Sequence, residues 1–278
     1  MSRLFIRIIS LGIFVLFLSA CSSLAEYSDP DARTINVAVP QSARPLSYTG
    51  TDGEMTGYEV EILKEADRRL EEYEFNIQGS DDAAAEIGLD TGQYDMIAQG
   101  LILSPEREAS YIVPSESNGP SLMRIYATAG LEDTVNSLED LQGRSIVPVS
   151  PSGGVFNMLS NYNEANPDHA LEFDTSGAGV PTSSRLQEVE SGAYDALVLP
   201  SNLGQQDIID AAELDLHVTE PIQIDPTYFL IHDAPENEEL SRQISEVLKD
   251  MKAEGLMSEL SEEFYGEDVM KYEDQVEE

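Results

Sequence analysis

The segments INVAV (35–39) and YEVEILKEADRRLE (58–71) decide the fold class of this chain. The first is a short, apolar, β-branched run, typical of a buried strand. In the second, apolar residues recur every fourth position, which predicts a helix with one apolar stripe that packs on a sheet. The stripe consists of Tyr58, Ile62, Ala66 and Leu70. Strand-like runs at 73–77 and 96–101 follow, and this alternation predicts an α/β fold.

A second set of strands and helices begins near Ser137. Its predicted elements are strands at 145–149 and 196–199 and helices at 154–164 and 183–189. Extended runs at 121–127 and 216–228 flank this set, and we interpret them as two crossover strands that link two lobes. The predicted division is 34–126 for the first part of lobe 1, 127–219 for lobe 2, and 220–278 for the remainder of lobe 1 with an acidic C-terminal tail.

The N-terminus carries the pattern of a secretory signal. Arg3 and Arg7 precede an apolar run at 8–18, which is too short to span a bilayer comfortably, and small residues follow it. The sequence LSAC at 18–21 also resembles the lipobox of bacterial lipoproteins, and it ends at Cys21, the single cysteine of the chain. We therefore expect residues 1–20 to be removed and Cys21 to be acylated. Residues 21–33 would then tether the protein to the extracytoplasmic face of the cell membrane. The alternative is an ordinary signal peptide with an incidental cysteine.

The chain has 53 acidic residues against 15 basic ones and a formal charge of -38. Such a surface repels nucleic acid and anionic lipid head groups, so neither is expected as a partner. One hypothesis is a host that lives at high salt, where screening relieves the repulsion between carboxylates. The alternative is an acidic surface protein from an ordinary or alkaline habitat.

Motifs for catalysis and for metal or cofactor binding are absent from the sequence. The three histidines, His169, His217 and His232, are scattered without metal-ligand spacing. There is no nucleophile elbow, P-loop or dinucleotide fingerprint. We therefore expect no metal and no cofactor, and we expect a monomer that is not an enzyme.

Three segments carry a resemblance to a known family: DGEMTGYEVE (52–61), GQYDM (92–96) and SPER (104–107). Together they resemble the extracellular solute-binding proteins of polar amino-acid ABC transporters, and the likeness runs from about residue 35 to residue 272. Segments IVPVSP (146–151), NYN (161–163), PTY (226–228) and FYGEDV (264–269) are most similar to the branch that binds cystine and related sulfur amino acids. The resemblance implies a two-lobed periplasmic-binding-protein-like fold (type II) with two hinge strands. It also implies a ligand held between the lobes and delivered to a membrane permease with a cytoplasmic ATPase.

Arg107 is the predicted anchor for the carboxylate of an amino acid. In SPER, Ser104 can cap a helix and Pro105 can be its first residue, which places Arg107 in the first turn. In the resembled family the matching arginine forks onto the ligand carboxylate. The alternative is a surface arginine paired with Glu106 or Glu108.

The loop SPSGG (150–154) lies between a predicted strand and a predicted helix. A helix start of this kind offers unpaired N–H groups to an anion, although such a turn is often only a tight connection. The resemblance implies that Ser152 and Gly153 contact the ligand carboxylate from the second lobe.

The sequence departs from the family pattern at two positions. Many relatives have a serine or threonine, whose side chain contacts the ligand, where this chain has Ile102. Here only the backbone N–H of Ile102 could contact the ligand. The carbonyl of Gly100 and the side chain of Gln99 are the neighbouring candidate contacts. Relatives commonly have an aspartate, which accepts from the ligand ammonium, where this chain has Pro200. Asp225 is the candidate replacement.

Aromatic residues could clamp an apolar or thioether part of the ligand. The candidates are Tyr48, Tyr58 and Phe156, although Tyr58 begins the apolar stripe, where a residue is more often core packing than a ligand contact.

Other functions stay open at this stage. The ligand could be another small zwitterion such as an osmolyte, or the protein could be a sensor that acts on a signalling partner. Some proteins of the fold resemble dehydratases that act on prephenate or arogenate. Such an enzyme needs a poised general acid, and the deep acidic candidates Glu59 and Asp225 offer no evident reason for a raised pKa.

Overall fold

A computed structural model describes residues 32–151, 154–177 and 179–276. The predicted signal peptide, Cys21, most of the tether, Ser152 and Gly153 lie outside the described residues.

Strands and helices alternate along the chain, as the sequence predicts. The strands are β1 (Arg33–Pro40), β2 (Ser42–Ala43), β3 (Ser47–Thr49), β4 (Met55–Thr56), β5 (Tyr73–Ser80), β6 (Met96–Ile102), β7 (Gly119–Thr128), β8 (Ala196–Pro200), β9 (Leu216–Val218) and β10 (Gln223–Ile231). The α-helices are α1 (Tyr58–Arg69), α2 (Asp82–Asp90), α3 (Pro105–Ser110), α4 (Gly154–Ala165), α5 (Thr182–Glu190), α6 (Gln205–Ala212), α7 (Glu238–Glu254) and α8 (Leu256–Tyr265).

Strands of both lobes lie in one sheet. Within the described residues its order is β5-β1-β6-β10-β7-β8, and β9 pairs with β7. Strands β5, β1 and β6 are parallel, whereas β10 is antiparallel to both β6 and β7. Strand β7 carries the chain out of the first set of elements and β10 carries it back. These two strands are therefore the crossover connections.

Two buried clusters form the cores on either side of the crossover strands. The first joins α1, β1, β6 and α7, and it contains the whole predicted stripe of α1: Tyr58, Ile62, Ala66 and Leu70. The second joins β7 and β8 with α4, and it includes Ile125, Leu159 and Val198. Each cluster lies in a different set of elements, so the molecule has two lobes.

Two predicted strands differ from the observed ones. The segment 145–149 makes only one parallel bridge, from Ile146 to Ala196, because Pro148 has no N–H with which to extend a ladder. The run predicted at 216–228 is two strands, β9 and β10, separated by a segment that contains Pro221.

The C-terminal segment is packed and not a free acidic tail. Residues Val269–Gln275 form a 3-10 helix in which Val269 and Tyr272 are buried. Nη2 of Arg124 on β7 donates to both carboxylate oxygens of Glu267, at 2.9 Å each. The segment therefore braces a crossover strand.

None of the helices in the described part of the chain combines the length and the apolar character that crossing a bilayer requires.

Candidate functional site

Arg107 lies in the first turn of α3, the short helix that follows β6, as the sequence predicts. The Ser104 side chain accepts a hydrogen bond from the Arg107 N–H at 3.3 Å, and Pro105 is the first helical residue of α3. The guanidinium donates from Nη1 to the Ile102 carbonyl oxygen at 2.9 Å and from Nη2 to Glu86 Oε1 at 3.3 Å. Its ion-pair partner is therefore Glu86 of α2, not Glu106 or Glu108. About a third of the side chain, 32%, stays exposed.

An acidic cavity of about 170 Å³ lies on the same side of the first lobe. The end of β1 with β2 (40–43) and the turn from β5 into α2 (80–82) form its walls. Gln99 Nε2 donates to the Asp82 carbonyl oxygen at 3.5 Å, which connects the end of β6 to this wall. Burial, together with the carboxylates of Asp81 and Glu86, raises the pKa of Asp82. A cation and a group of carboxylates thus lie side by side, as a zwitterion requires.

Gly100 connects the site to a buried carboxylate. Its backbone is in the left-handed region, with φ 61°, and its N–H donates to both oxygens of Glu59 at 3.1 Å. Asn118, immediately before β7, donates from Nδ2 to Glu59 Oε1. Burial raises the pKa of Glu59 to about 8. The sequence offered no reason for such a shift, and the structure corrects that view. Glu59 is completely buried, however, so it cannot reach a substrate.

The two lobes meet beside Gly100. A Cβ atom built at Gly100 would lie 3.4 Å from Asn202 Nδ2, and one built at Gly204 would lie 3.0 Å from the Arg44 carbonyl oxygen. The loop after β8 therefore reaches the first lobe next to the end of β6. Pro200 supplies no carboxylate at this place, and Asn202 is the polar side chain that faces Gly100.

The aromatic candidates differ in their surroundings. Tyr58 is 3% exposed and packs against Tyr265, with ring centroids 4.8 Å apart, so it belongs to the core and does not line an open surface. Tyr48 is half-buried, and the Arg44 guanidinium carbon lies 3.8 Å from its ring centroid. Phe156 is half-buried and meets Phe173 edge to face at 6.2 Å.

Asp225 lies on β10, where its strand crosses between the lobes. Both of its carboxylate oxygens accept hydrogen bonds from Gln223 Nε2 on the same strand, at 2.9 and 2.8 Å. Its role as the ammonium acceptor stays a prediction, and the structure offers Glu86, 3.3 Å from the Arg107 guanidinium, as another acceptor.

Sequence reasoning missed Asp82, Glu86 and Asn202. The signal for the first two was present, because Asp81 caps α2 and its side chain accepts from the Ala83 N–H at 3.2 Å. An acidic N-cap directly after a parallel strand places the next helix turn at the same sheet edge as the end of β6. In the described ranges no group of three or more His, Cys, Asp and Glu side chains is arranged to hold a metal ion.

Comparisons with known proteins agree with this architecture. The L-cystine-binding protein TcyK of Bacillus subtilis is 24% identical over 259 residues, covering 91% of this chain and 93% of the relative. The L-cystine-binding protein TcyJ of Escherichia coli is 24% identical over 275 residues, covering 94% of this chain and 96% of the relative. The crystal structure of the probable amino-acid ABC transporter extracellular-binding protein ytmK from Bacillus subtilis superposes with a TM-score of 0.74 and 22% identity, covering 85% of this chain and 99% of that one. The structural likeness confirms the two-lobed α/β fold.

The model of the bacterial extracellular solute-binding proteins, family 3, matches residues 35–267, which is most of the chain, and the protein belongs to that family.

Proposed function

We propose that this protein is the extracytoplasmic substrate-binding component of an ABC importer and that its ligand is a polar or sulfur-containing amino acid such as cystine. One observation carries the proposal: the partly exposed guanidinium of Arg107, paired with Glu86 of α2, lies beside an acidic cavity at the point where the two lobes meet. The cystine-binding relatives favour the ligand class.

The chemistry of the site suits the two charges of an α-amino acid. The Arg107–Glu86 pair is long, at 3.3 Å, and its members are 32% and 47% exposed. Such a surface pair contributes about 0–1 kcal/mol, so a ligand carboxylate can replace Glu86 on the guanidinium at little cost. The two parallel hydrogen bonds between the guanidinium and the ligand carboxylate are charge-assisted and stronger than the long pair with Glu86. Glu86, released from Arg107, and the neighbouring Asp82 can then accept from the ligand ammonium.

The remaining contacts come from the second lobe. Backbone N–H groups of Ser152 and Gly153 would complete the carboxylate site, and Asn202 would add a polar contact opposite Gly100. Rotation about β7 and β10 would close the lobes on the ligand and form the surface that the permease recognises. The lobe boundaries 34–126, 127–219 and 220–278 belong to this proposal, and the two separate cores support them.

The proposal includes an acyl anchor on Cys21 and a receptor that binds its ligand without converting it to a product. Cys21 would be acylated after removal of residues 1–20 and would hold a monomeric receptor at the membrane. Cys21→Ser should move the protein from the detergent-rich phase to the aqueous phase on Triton X-114 partitioning. Unchanged partitioning would exclude the acyl anchor.

Thermal unfolding against a panel of ligands tests the function. The panel contains cystine, other amino acids, an ectoine-like osmolyte and prephenate. A ligand at 100 times its Kd adds about 2.7 kcal/mol, which is about 5–10 °C in Tm for a chain of this size. We expect an amino acid to raise Tm by this amount, and we expect no compound of the panel to be converted to a product. Product from prephenate, or no shift with any amino acid, would overturn the proposal.

A pair of variants tests the site. Arg107→Ala should abolish the ligand-induced shift and leave the ligand-free Tm nearly unchanged. Arg242→Ala is the matched control, because Arg242 is an exposed arginine of α7 with two carboxylate partners, Glu239 and Glu246. It removes the same charge from α7, which contributes none of the proposed site residues, so the ligand-induced shift should persist.

A further inference from the structure

Strand β6 carries a β-bulge at its cleft end. The register of β6 against β10 shifts between Leu230 and Tyr228, so three residues of β6, 98–100, lie opposite one residue of β10. Gly100 is the last residue of the bulge, and its backbone is in the left-handed region. A bulge takes a backbone N–H group out of the ladder of the sheet, and that group then needs another acceptor.

The Glu59 carboxyl group supplies this acceptor and also reaches the crossover strands. Its two oxygens accept from the Gly100 N–H at 3.1 Å, and Oε1 accepts from Asn118 Nδ2. Asn118 directly precedes β7, and its N–H donates to the carbonyl oxygen of Thr227 on β10 at 2.9 Å. Thr227 Oγ1 in turn donates to the Gly119 carbonyl oxygen of β7 at 2.8 Å. One side chain thus connects the cleft end of β6 to the point where both crossover strands are joined.

This connection is buried and closely packed. Glu59 and Asn118 are both 0% exposed, so a polar group that loses its partner here has no access to bulk water. Tyr58 Oη donates to the Asn118 carbonyl oxygen at 3.1 Å, and a Cβ atom built at Gly119 would lie 2.7 Å from Tyr58 Oη. The start of β7 is therefore held against the first turn of α1 by two neighbouring side chains.

We propose that Glu59 is a positioning residue for ligand binding, which fixes the bulge at Gly100 and the start of the crossover strands in one relative arrangement. The predicted ligand contacts Gln99, Gly100 and Ile102 lie in or next to the bulge, and Asn202 of the second lobe faces Gly100. A shift of the bulge would therefore displace the ligand contacts and the meeting point of the lobes together. This inference rests on the proposed function and deepens it, because it assigns to the site a residue that does not touch the ligand.

Calorimetric titration of cystine into two variants of Glu59 tests the positioning role. Glu59→Met removes both hydrogen bonds at similar volume. The bulge can then adopt other arrangements, the binding-competent fraction falls, and the Kd should rise at least about 10-fold. Glu59→Gln can keep both bonds, because its oxygen accepts from Gly100 and its nitrogen can donate to Asn118 Oδ1 after a half-turn of the Asn118 amide. That oxygen has no partner among the described residues, so the Kd of Glu59→Gln should stay within about threefold of wild type.

Asn118→Ala separates the coupling from a local effect on the bulge. It leaves Glu59 bonded to Gly100 but removes the link to the crossover strands, so the Kd should rise about fivefold or more. Asn237→Ala is the matched control. Asn237 is an asparagine outside the proposed site, 1% exposed, whose Nδ2 donates to the His232 carbonyl oxygen at 2.9 Å. Asn237→Ala should lower Tm in the same way and leave the Kd within about twofold of wild type.

Distances between the two lobes give a readout that needs no ligand. In a Cys21→Ser background, spin labels on Glu74→Cys and Asp168→Cys report the arrangement of the lobes by pulsed electron spin resonance, since both positions are exposed and lie in different lobes. Asn118→Ala should broaden the distance distribution of the ligand-free protein, and Asn237→Ala should leave it unchanged.

The outcomes separate this proposal from the proposed function. An unchanged Kd in Asn118→Ala, or an unchanged distance distribution, would overturn the coupling while the receptor function stands. Equal losses of affinity in Asn118→Ala and Asn237→Ala would mean that lower stability explains the effect, and they would also overturn the coupling. If wild type binds no amino acid, the proposed function fails together with the role in ligand binding, and the distances still decide whether the crossover strands depend on this link. Should Glu59→Met not fold, Asn118→Ala with its control carries the same test.

Discussion

Glu59→Gln should change the pH dependence of stability in a way that isolates one buried carboxyl group. Glu59 is fully buried between the N–H of Gly100 and the amide of Asn118, and burial raises its pKa from 4.5 to about 8. Between these two values the unfolded chain has lost the proton and the folded chain has kept it. The unfolded state then binds fewer protons, so the contribution of Glu59 to the free energy of unfolding falls as pH rises.

The magnitude follows from the shift. Each pKa unit corresponds to about 1.4 kcal/mol, so Glu59 costs the folded wild type about 5 kcal/mol once the pH exceeds 8. Glutamine keeps the shape and does not ionise. The free energy of unfolding of Glu59→Gln minus that of wild type should therefore rise by about 3–4 kcal/mol between pH 5 and pH 8. The other carboxylates titrate in both proteins and cancel in the difference.

Urea unfolding at half-unit pH steps from 5 to 9 measures this difference. Glu74→Gln is the matched control, because Glu74 is exposed on β5. Its difference from wild type should stay within about 0.5 kcal/mol over the same range. A Glu59→Gln difference that is constant or falls with pH would refute the reasoning, since it would mean that Glu59 is ionised in the folded protein.

Three further predictions concern stability. Arg124→Met removes the part-buried ion pair with Glu267, so the free energy of unfolding measured in urea should fall by about 2–3 kcal/mol. A fall below about 1 kcal/mol would contradict the bracing role of the C-terminal segment. Gly177→Ala puts a Cβ atom 2.1 Å from the Pro148 carbonyl oxygen and should lower the free energy of unfolding by at least about 2 kcal/mol. In the control Gly154→Ala the new Cβ atom meets nothing within 4 Å, so the free energy of unfolding should not fall. Equal effects of the two substitutions would refute this account. With 53 acidic and 15 basic residues, Tm should rise steadily with NaCl because salt screens the repulsion, and a flat profile would sink the high-salt hypothesis.

The fold was largely predictable because its signals are local. The four-residue spacing in α1 predicts a stripe whose four residues are all buried in the structure, and Ser104 with Pro105 predicts the start of α3. Gly255 likewise separates α7 from α8. Where a proline interrupts an extended run, as at Pro148, the same local reasoning overestimated the strand.

The site was only partly predictable because its partners are distant in sequence. Arg107 pairs with Glu86 twenty-one residues away, and the Gly100 N–H donates to the carboxylate of Glu59, forty-one residues away. Nothing in the spacing of one sequence specifies such pairs. The apolar stripe favoured a core position for Tyr58 over a ligand contact, and Tyr58 is buried in the structure.

The central claim is that the cleft holds an amino acid by its carboxylate on Arg107. Calorimetric titration of cystine into wild type and Arg107→Ala tests it most directly. We predict saturable binding of one ligand per protein with a Kd of about 1 μM or lower for wild type, and a Kd at least about 100-fold higher for Arg107→Ala. Equal affinity in the two proteins, or no binding of any α-amino acid to wild type, would contradict the claim.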